Sequence, residues 1–299
     1  MPSRSIVLDG PLDLARTLFP LRRGTGDPTW RIEAVVAWRG VRTPEGPAAV
    51  RIERTAPDRV VAEAVGRGAG WALERAPGVV GALDDASGFR PQHPAVEDAW
   101  RRHRGVRLTR TAEVLPALVA AICEQKVTGA RARTAWRGLV RATSEPAPGG
   151  WDVWLPPDPE RLATLPSWAF HRAELERRRA DVVRHVASRA AAIEALAERP
   201  LEEARTALLR IPGVGPWTVA EVARLALGDA DAVSVGDYHV PNLVAWSLAG
   251  EPRADDARML ELLEPYRGHR GRVQRLLEAT GIGAPRWGPR AHVGAIADL

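Results

Sequence analysis

The sequence predicts an α+β protein in which a mixed β-sheet domain precedes a mostly helical domain of two lobes. Val- and Ile-rich stretches, in part alternating and separated by Gly/Pro turns, fill the N-terminal third. From Glu113 onward, apolar residues recur at helical spacing. At 299 residues the chain can bury two hydrophobic cores. We therefore place an N-terminal domain at residues 1–103 and a helical domain at residues 104–299.

The N-terminal domain contains three segments that are predicted to form strands and one that is predicted to form a helix. Turn residues such as Pro44 and Gly46 divide the strands, and a polar, Arg-rich connection runs from Pro91 to Gly105. The predicted strands are Trp30 to Trp38, Ala48 to Arg54 and Arg59 to Val65, and the predicted helix covers Gly70 to Glu74.

The helical domain contains eight segments with a helical pattern, and the tail from Gly281 to Leu299 is expected to be irregular. The longest predicted helix is a single one from Trp168 to Glu198. The others are Glu113 to Lys126, Val127 to Arg141, Leu201 to Arg210, Trp217 to Leu227, Tyr238 to Leu248, Asp255 to Tyr266 and Arg270 to Thr280.

The composition narrows the possible functions. The single cysteine, Cys123, excludes an internal disulfide framework and a Cys-ligated iron–sulfur cluster. The seven histidines are scattered, so we expect no metal site and no cofactor. No apolar run of about 18 residues predicts a membrane helix, and no signal peptide is apparent, so we expect a cytoplasmic protein. The net charge of +5 suits a polyanionic partner but does not identify one.

A tight turn joins two of the predicted helices to form a hairpin at residues 201–227. Its glycines can adopt positive φ without steric cost, and Pro216 suits the first turn of the following helix. Such a turn presents free backbone N–H groups that bind a phosphate irrespective of base sequence. An ordinary corner between helices is the alternative for the glycines alone. The turn consists of Ile211, Pro212, Gly213, Val214 and Gly215.

The turn and Asp237, which follows Trp217 by twenty residues, together resemble the helix-hairpin-helix/Gly-Pro/Asp superfamily of DNA glycosylases. The local sequence, with Pro-Trp-Thr after the turn and Asp-Tyr at 237–238, is most similar to DNA-3-methyladenine glycosylase II. The resemblance covers Glu113 to about Thr280 well and the N-terminal third loosely. It implies that the hairpin holds the backbone of double-stranded DNA and that Asp237 serves the N-glycosidic bond. From the residues alone, Asp237 can also be a simple N-cap of the next helix.

The segment Ala121 to Lys126 resembles the family's signature that carries the side chain plugging the gap left by a flipped nucleotide. On that match Lys126 is the wedge, with Gln125 beside it. Many relatives have Leu or Gln at this position, so a solvated lysine at a helix end is the alternative. The basic run Arg177 to Arg179 has two interpretations as well, a solvated helix face or a contact with the DNA backbone.

The base pocket is predicted to be aromatic, with Trp217, Tyr238, Trp168 and Phe170 available to stack on a base. Trp168 and Phe170 equally suit a hydrophobic core. Glu221 follows Trp217 by one helical turn. Its carboxylate either faces the pocket, where it favours a cationic base, or lies on the surface, and the sequence leaves both interpretations open.

The resemblance also indicates the reaction. Relatives with lyase activity form a Schiff base through a lysine at the position of Trp217, and Lys126 is the only lysine in this chain. We therefore expect a monofunctional hydrolase, a monomer associated with the nucleoid, that flips and excises alkylated purines of the 3-methyladenine type from duplex DNA. The alternatives are a glycosylase for oxidised, deaminated or crosslinked bases and a non-catalytic helix-hairpin-helix DNA-binding protein.

Overall fold

The structure is a computed structural model, and it describes residues 1–285. It confirms the α+β class: a five-stranded sheet comes first and helices follow. The sheet has the strand order β1-β5-β4-β3-β2. Its strands are β1 Ser3–Val7, β2 Trp30–Ile32, β3 Val36–Thr43, β4 Gly46–Ala56 and β5 Arg59–Gly66. The predicted irregular tail lies outside the described residues from position 286 onward.

Fourteen α-helices occupy the described ranges, several of them extended by a turn of 3₁₀ or π helix. In the first half of the chain they are α1 Leu14–Leu18, α2 Ala69–Val79, α3 Pro94–Arg102, α4 Val114–Glu124 and α5 Gly129–Thr143. The remainder are α6 Pro159–Thr164, α7 Ser167–Arg172, α8 Arg177–Ala187, α9 Ala190–Glu194, α10 Leu201–Leu209, α11 Pro216–Val222, α12 Val240–Ala249, α13 Asp256–Leu263 and α14 Arg270–Thr280. Among these residues no helix is both long and apolar enough to cross a membrane.

The sheet is antiparallel throughout, whereas a mixed sheet was predicted. Short turns such as the one between Thr43 and Gly46 join consecutive strands, and only antiparallel neighbours can be connected so tightly. The predicted strand Trp30 to Trp38 is two strands that pair with each other, with Ile32 opposite Ala37. One face of the sheet packs on α1 and α2, and the other is covered by the loop around Val153 and Leu155.

The helices form two lobes with separate cores, as predicted. The larger core surrounds the fully buried α4 residues Leu118 and Ile122. The smaller core combines α3 with α12, α13 and α14. Helix α3 was not recognised in the sequence, because its nine residues bury only Val96 and Ala99. It precedes the boundary proposed at residue 103 yet packs on helices that follow that boundary.

The single helix predicted from Trp168 to Glu198 was wrong. The segment forms α7, α8 and α9, followed by a 3₁₀ turn over Ala195–Glu198. Glu174 adopts a φ of 61°, in the left-handed region, where a right-handed helix cannot continue. The break lets α7 and α8 lie against different neighbours while their apolar residues share one core.

Two buried carboxylates hold α4 against the rest of the fold. Glu113 forms a buried ion pair with Arg39 of β3, and burial raises the pKa of Glu113. Glu194 accepts the N–H groups of Val114 and Leu115 at 2.8 and 3.3 Å, which satisfies the first turn of α4. Burial and the nearby charge of Glu113 raise the pKa of Glu194 to about 7.

Candidate active site

The turn between α10 and α11 has the geometry predicted for a hairpin. Gly213 adopts a φ of +87°, and the Val214 N–H closes the turn by donating to Ile211 O at 3.0 Å. The side chains of Ile211 and Val214 face the helical core, whereas Pro212 and Gly213 are exposed. In the part of the chain that the structure describes, the N–H groups of Gly213 and Gly215 have no hydrogen-bond partner. The turn thus offers two free backbone donors on an exposed corner.

Asp237 is held in place by three donors. Its Oδ1 accepts the backbone N–H groups of His239 at 2.6 Å and Val240 at 3.0 Å. Its Oδ2 accepts the indole Nε1–H of Trp217 at 3.0 Å. The carboxylate therefore accepts N–H groups at the start of α12, whose N-cap residue is His239 rather than Asp237, and at the same time joins α12 to the helix that follows the hairpin.

Gln125 does not act as a wedge in this structure. Its side-chain Nε2 donates to Gly213 O at 3.0 Å and to Thr218 Oγ1 at 2.9 Å. The amide is thereby committed to the turn, because α4 ends at Glu124 and the chain passes directly beside the hairpin. Gln125 is an anchor of the hairpin, which corrects the prediction for this residue.

Lys126 is exposed and adopts a φ of 53°. A non-glycine residue in the left-handed region is uncommon and marks a tight change of direction. The lysine lies immediately after the residue that anchors the hairpin, next to the exposed corner. This position is compatible with the wedge role, which stays a prediction.

The predicted aromatic residues do not form one pocket. Phe170 is fully buried in the helical core, with the Arg184 guanidinium 4.8 Å from its ring centre, so the prediction that it stacks on a base was wrong. Trp168 is 64% exposed, on α7. Tyr238 is 84% exposed beside Asp237. Trp217 is half-buried, and of these four aromatic residues only Trp217 bonds to Asp237.

Glu221 faces inward rather than lying on the surface. Its Oε1 accepts the hydroxyl of Ser234 at 2.6 Å, and both of its oxygens accept from Arg224 at 3.2 Å. Ser234 also receives a hydrogen bond from Gln274 at 2.9 Å, and Gln274 donates to Glu278 at 2.8 Å. Sequence reasoning missed Ser234, Arg224, Gln274 and Glu278, because they lie in a loop, in the π turn after α11 and on α14, and form no motif.

The basic run on α8 divides into two parts. Arg179 is buried and donates to Cys123 O at 2.6 Å, so it is structural. Arg177 and Arg178 are exposed. Helix α8 lies against the hairpin, because a Cβ at Gly213 would be 2.4 Å from Val182 Cγ2. The two exposed arginines therefore lie at the start of a helix that packs on the hairpin.

Comparison with known proteins confirms the resemblance. No protein-family model matches the chain. It is 26% identical over 174 residues to a Bacillus subtilis (strain 168) protein, YfjP, provisionally designated a DNA-3-methyladenine glycosylase; the match spans 56% of the chain and 60% of that relative.

Two solved structures share the fold. The 3-methyladenine DNA-glycosylase from Archaeoglobus fulgidus is 18% identical, with a TM-score of 0.74 over 92% of this chain and 97% of that one. The Clostridium acetobutylicum 8-oxoguanine glycosylase/lyase, in complex with double-stranded DNA, is 14% identical, with a TM-score of 0.69 over 93% of this chain and 99% of that one. At these identities the likeness shows the fold alone. Because the two neighbours act on different bases, it does not distinguish between lesions.

Proposed function

We propose that this protein is a monofunctional DNA glycosylase that excises alkylated purines from duplex DNA. The observation that carries the proposal is the hydrogen bond from Trp217 to Asp237, which joins the hairpin helix to a fixed carboxylate. The sequence similarity to the Bacillus subtilis protein provisionally designated a DNA-3-methyladenine glycosylase supports the alkylpurine class. A binding module needs a hairpin but has no use for a carboxylate held by three donors.

Each part of the site has one task in this reaction. The free N–H groups of Gly213 and Gly215 bind a phosphate of the DNA backbone. Lys126 fills the gap left by the extruded nucleotide. Asp237 stabilises the positive charge that develops on the sugar as the glycosidic bond breaks, and it orients the attacking water. Because its three donors are already in place, the carboxylate needs no reorganisation when that charge appears.

Alkylated purines suit this site chemically. A base such as 3-methyladenine carries a positive charge and leaves with little assistance from an acid. Trp217 occupies the position at which related lyases have their lysine, so no amine is available there to form a Schiff base. The protein therefore hydrolyses the glycosidic bond and leaves an intact abasic strand.

The test is release of free bases from N-methylated duplex DNA by the wild type and by Asp237→Asn. Asn keeps an oxygen that accepts the N–H groups at the start of α12, so the variant should fold and bind DNA but release bases at least about a hundredfold more slowly. Borohydride should trap no covalent complex between the wild type and abasic DNA. A fully active Asp237→Asn protein would refute the catalytic role, and no release of any base by the wild type would refute the alkylpurine assignment.

A further inference from the structure

A cavity of about 910 Å³ lies where the N-terminal domain meets the helical lobes. Its N-terminal wall includes Phe19 and Arg23, and its helical wall includes Glu221, Arg224 and Glu278. Sites for small molecules enclose roughly 300–1,000 Å³, so the cavity can accept an extruded base. Its helical wall is charged and hydrogen-bonded, in contrast to the aromatic pocket predicted from the sequence.

The cavity wall is linked to Asp237 through Ser234, although Asp237 itself does not line the cavity. The Asp237 N–H donates to Ser234 O at 3.1 Å, and the hydroxyl of Ser234 donates to Glu221 at 2.6 Å. Glu221 also lies four residues after Trp217, on the same side of the helix. The buried Ser234 therefore fixes the distance between the carboxylate proposed for catalysis and the cavity wall.

Arg224 lies between two carboxylates in this wall. It donates to both oxygens of Glu221 at 3.2 Å and to the oxygens of Glu278 at 3.1 and 3.3 Å. Burial lowers the pKa of Arg224, but Glu221 and Glu278 together raise it above its ordinary value, so the guanidinium stays charged. Its side chain is only 9% exposed. Within residues 1–285 its Nε has no hydrogen-bond partner, although it is buried.

Glu278 is the more open of the two carboxylates, with a side chain 28% exposed against 12% for Glu221. Gln274 and Arg224 both donate to Glu278, which fixes its carboxylate in one orientation. The wall thus sets a guanidinium donor beside carboxylate acceptors. In a Watson–Crick pair cytosine offers guanine the same order of groups, an amino donor followed by two acceptors.

We propose that the wall formed by Arg224 and Glu278 selects bases with the Watson–Crick edge of guanine, a specificity that rests on the glycosylase function proposed above. The Glu278 carboxylate accepts hydrogen bonds from N1–H and the 2-amino group, while Arg224 donates to O6. An adenine-derived base presents an acceptor at N1 and a donor at N6. That edge sets a lone pair against the carboxylate and gives neither Glu278 nor Arg224 a complementary partner on the base. Among alkylated purines the site therefore favours 7-methylguanine over 3-methyladenine.

The experiment measures single-turnover release of 7-methylguanine and 3-methyladenine from N-methylated duplex DNA, each relative to its spontaneous release. We expect the wild type to accelerate release of 7-methylguanine about tenfold more than release of 3-methyladenine, since a site built to pair polar groups rejects a base that cannot pair them. Glu278→Gln should abolish this ratio. The matched control is Glu251→Gln, which removes an ion-paired carboxylate of similar exposure outside the cavity, and it should preserve the ratio.

The outcomes separate the two proposals. Equal or greater acceleration for 3-methyladenine, or an unchanged ratio in Glu278→Gln, overturns the guanine-edge inference and leaves the glycosylase function standing. If neither base is released, the proposed alkylpurine glycosylase function fails, and binding of the free bases is then measured by tryptophan fluorescence. Binding of 7-methylguanine that is lost in Glu278→Gln still supports the inference, and binding of neither base overturns it. Thermal unfolding of each variant verifies that it folds.

Discussion

The indole of Trp217 donates to Asp237 Oδ2 at 3.0 Å, although the two residues are twenty positions apart in the sequence. This bond couples the helix that begins at the hairpin to the carboxylate at the start of α12. The group proposed to bind the DNA backbone is thereby joined to the group proposed to act on the sugar. A displacement of the hairpin helix therefore changes the position of the carboxylate, and the reverse also holds.

Replacing Trp217 by Phe should slow base release about tenfold or more, because the ring remains but one donor to Asp237 is lost. Affinity for undamaged duplex should change little, since the hairpin backbone is retained. Single-turnover kinetics on methylated DNA measure the effect. Trp151→Phe is the control, because Trp151 packs on the sheet away from Asp237. Equal rates in the two variants would show that the indole N–H has no catalytic role.

The two glycines of the hairpin should respond differently to Ala. Gly213→Ala places a Cβ at a φ of +87° and 2.4 Å from Val182, so we expect a loss of about 1–3 kcal/mol in the free energy of unfolding and weaker binding to duplex DNA. Gly215 has ordinary φ, and a Cβ added there would meet no atom within 4 Å, so Gly215→Ala should retain stability. Urea unfolding and fluorescence anisotropy distinguish the two. Comparable destabilisation at both positions would contradict this account.

Lys126→Gly separates the backbone role of this residue from its proposed wedge role. Because Lys126 has a φ of 53°, glycine should raise the free energy of unfolding by up to about 1 kcal/mol. Without a side chain to fill the gap in the duplex, base release should nevertheless fall. A solvated lysine with no function predicts the same gain in stability with an unchanged rate.

The double substitution Arg177→Gln with Arg178→Gln should weaken binding to undamaged duplex. The slope of log affinity against log salt concentration should become shallower by the equivalent of up to about two phosphate contacts. The control is Arg101→Gln with Arg102→Gln, an identical change of charge at exposed positions on α3. Affinity measured at several salt concentrations gives both slopes. If the two double variants lose equal affinity, the effect comes from net charge and α8 makes no specific contact.

Glu194→Gln should flatten the pH dependence of stability. The pKa of Glu194 is about 7 in the folded protein and about 4.3 in an unfolded chain, so between these values the folded state holds more protons. The free energy of unfolding of the wild type therefore falls as pH rises through this interval. Gln keeps an acceptor for α4 and removes the buried charge, so at pH 8 the variant should be more stable by about 1–3 kcal/mol.

Urea unfolding at pH 5 and pH 8 measures this effect. Glu198→Gln is the control, because the Glu198 side chain is 70% exposed and the substitution is the same Glu-to-Gln change on the surface. If the difference in the free energy of unfolding between the wild type and Glu194→Gln is the same at both pH values, the raised pKa of Glu194 is contradicted.

The sequence by itself determined the hairpin and the position of Asp237. A glycine turn and a helix cap depend on residues that are neighbours along the chain, so their geometry follows from local sterics and hydrogen bonding. The bounds of α10, α11, α13 and α14 were predicted closely for the same reason. Strands β4 and β5 were also recognised, since their turns are local signals, whereas β1 was missed and β2 and part of β3 were predicted as one strand.

Only the tertiary structure decided which side chains meet at the cavity. Ser234, Glu221 and Glu278 come from separate elements, and no spacing in the sequence indicates that they share hydrogen bonds. Phe170 illustrates the same limit, because an aromatic residue in an amphipathic helix suits a pocket and a core equally. Packing assigned it to the core and left the wall beside Asp237 to charged groups, since burial and partnership depend on neighbours distant in sequence.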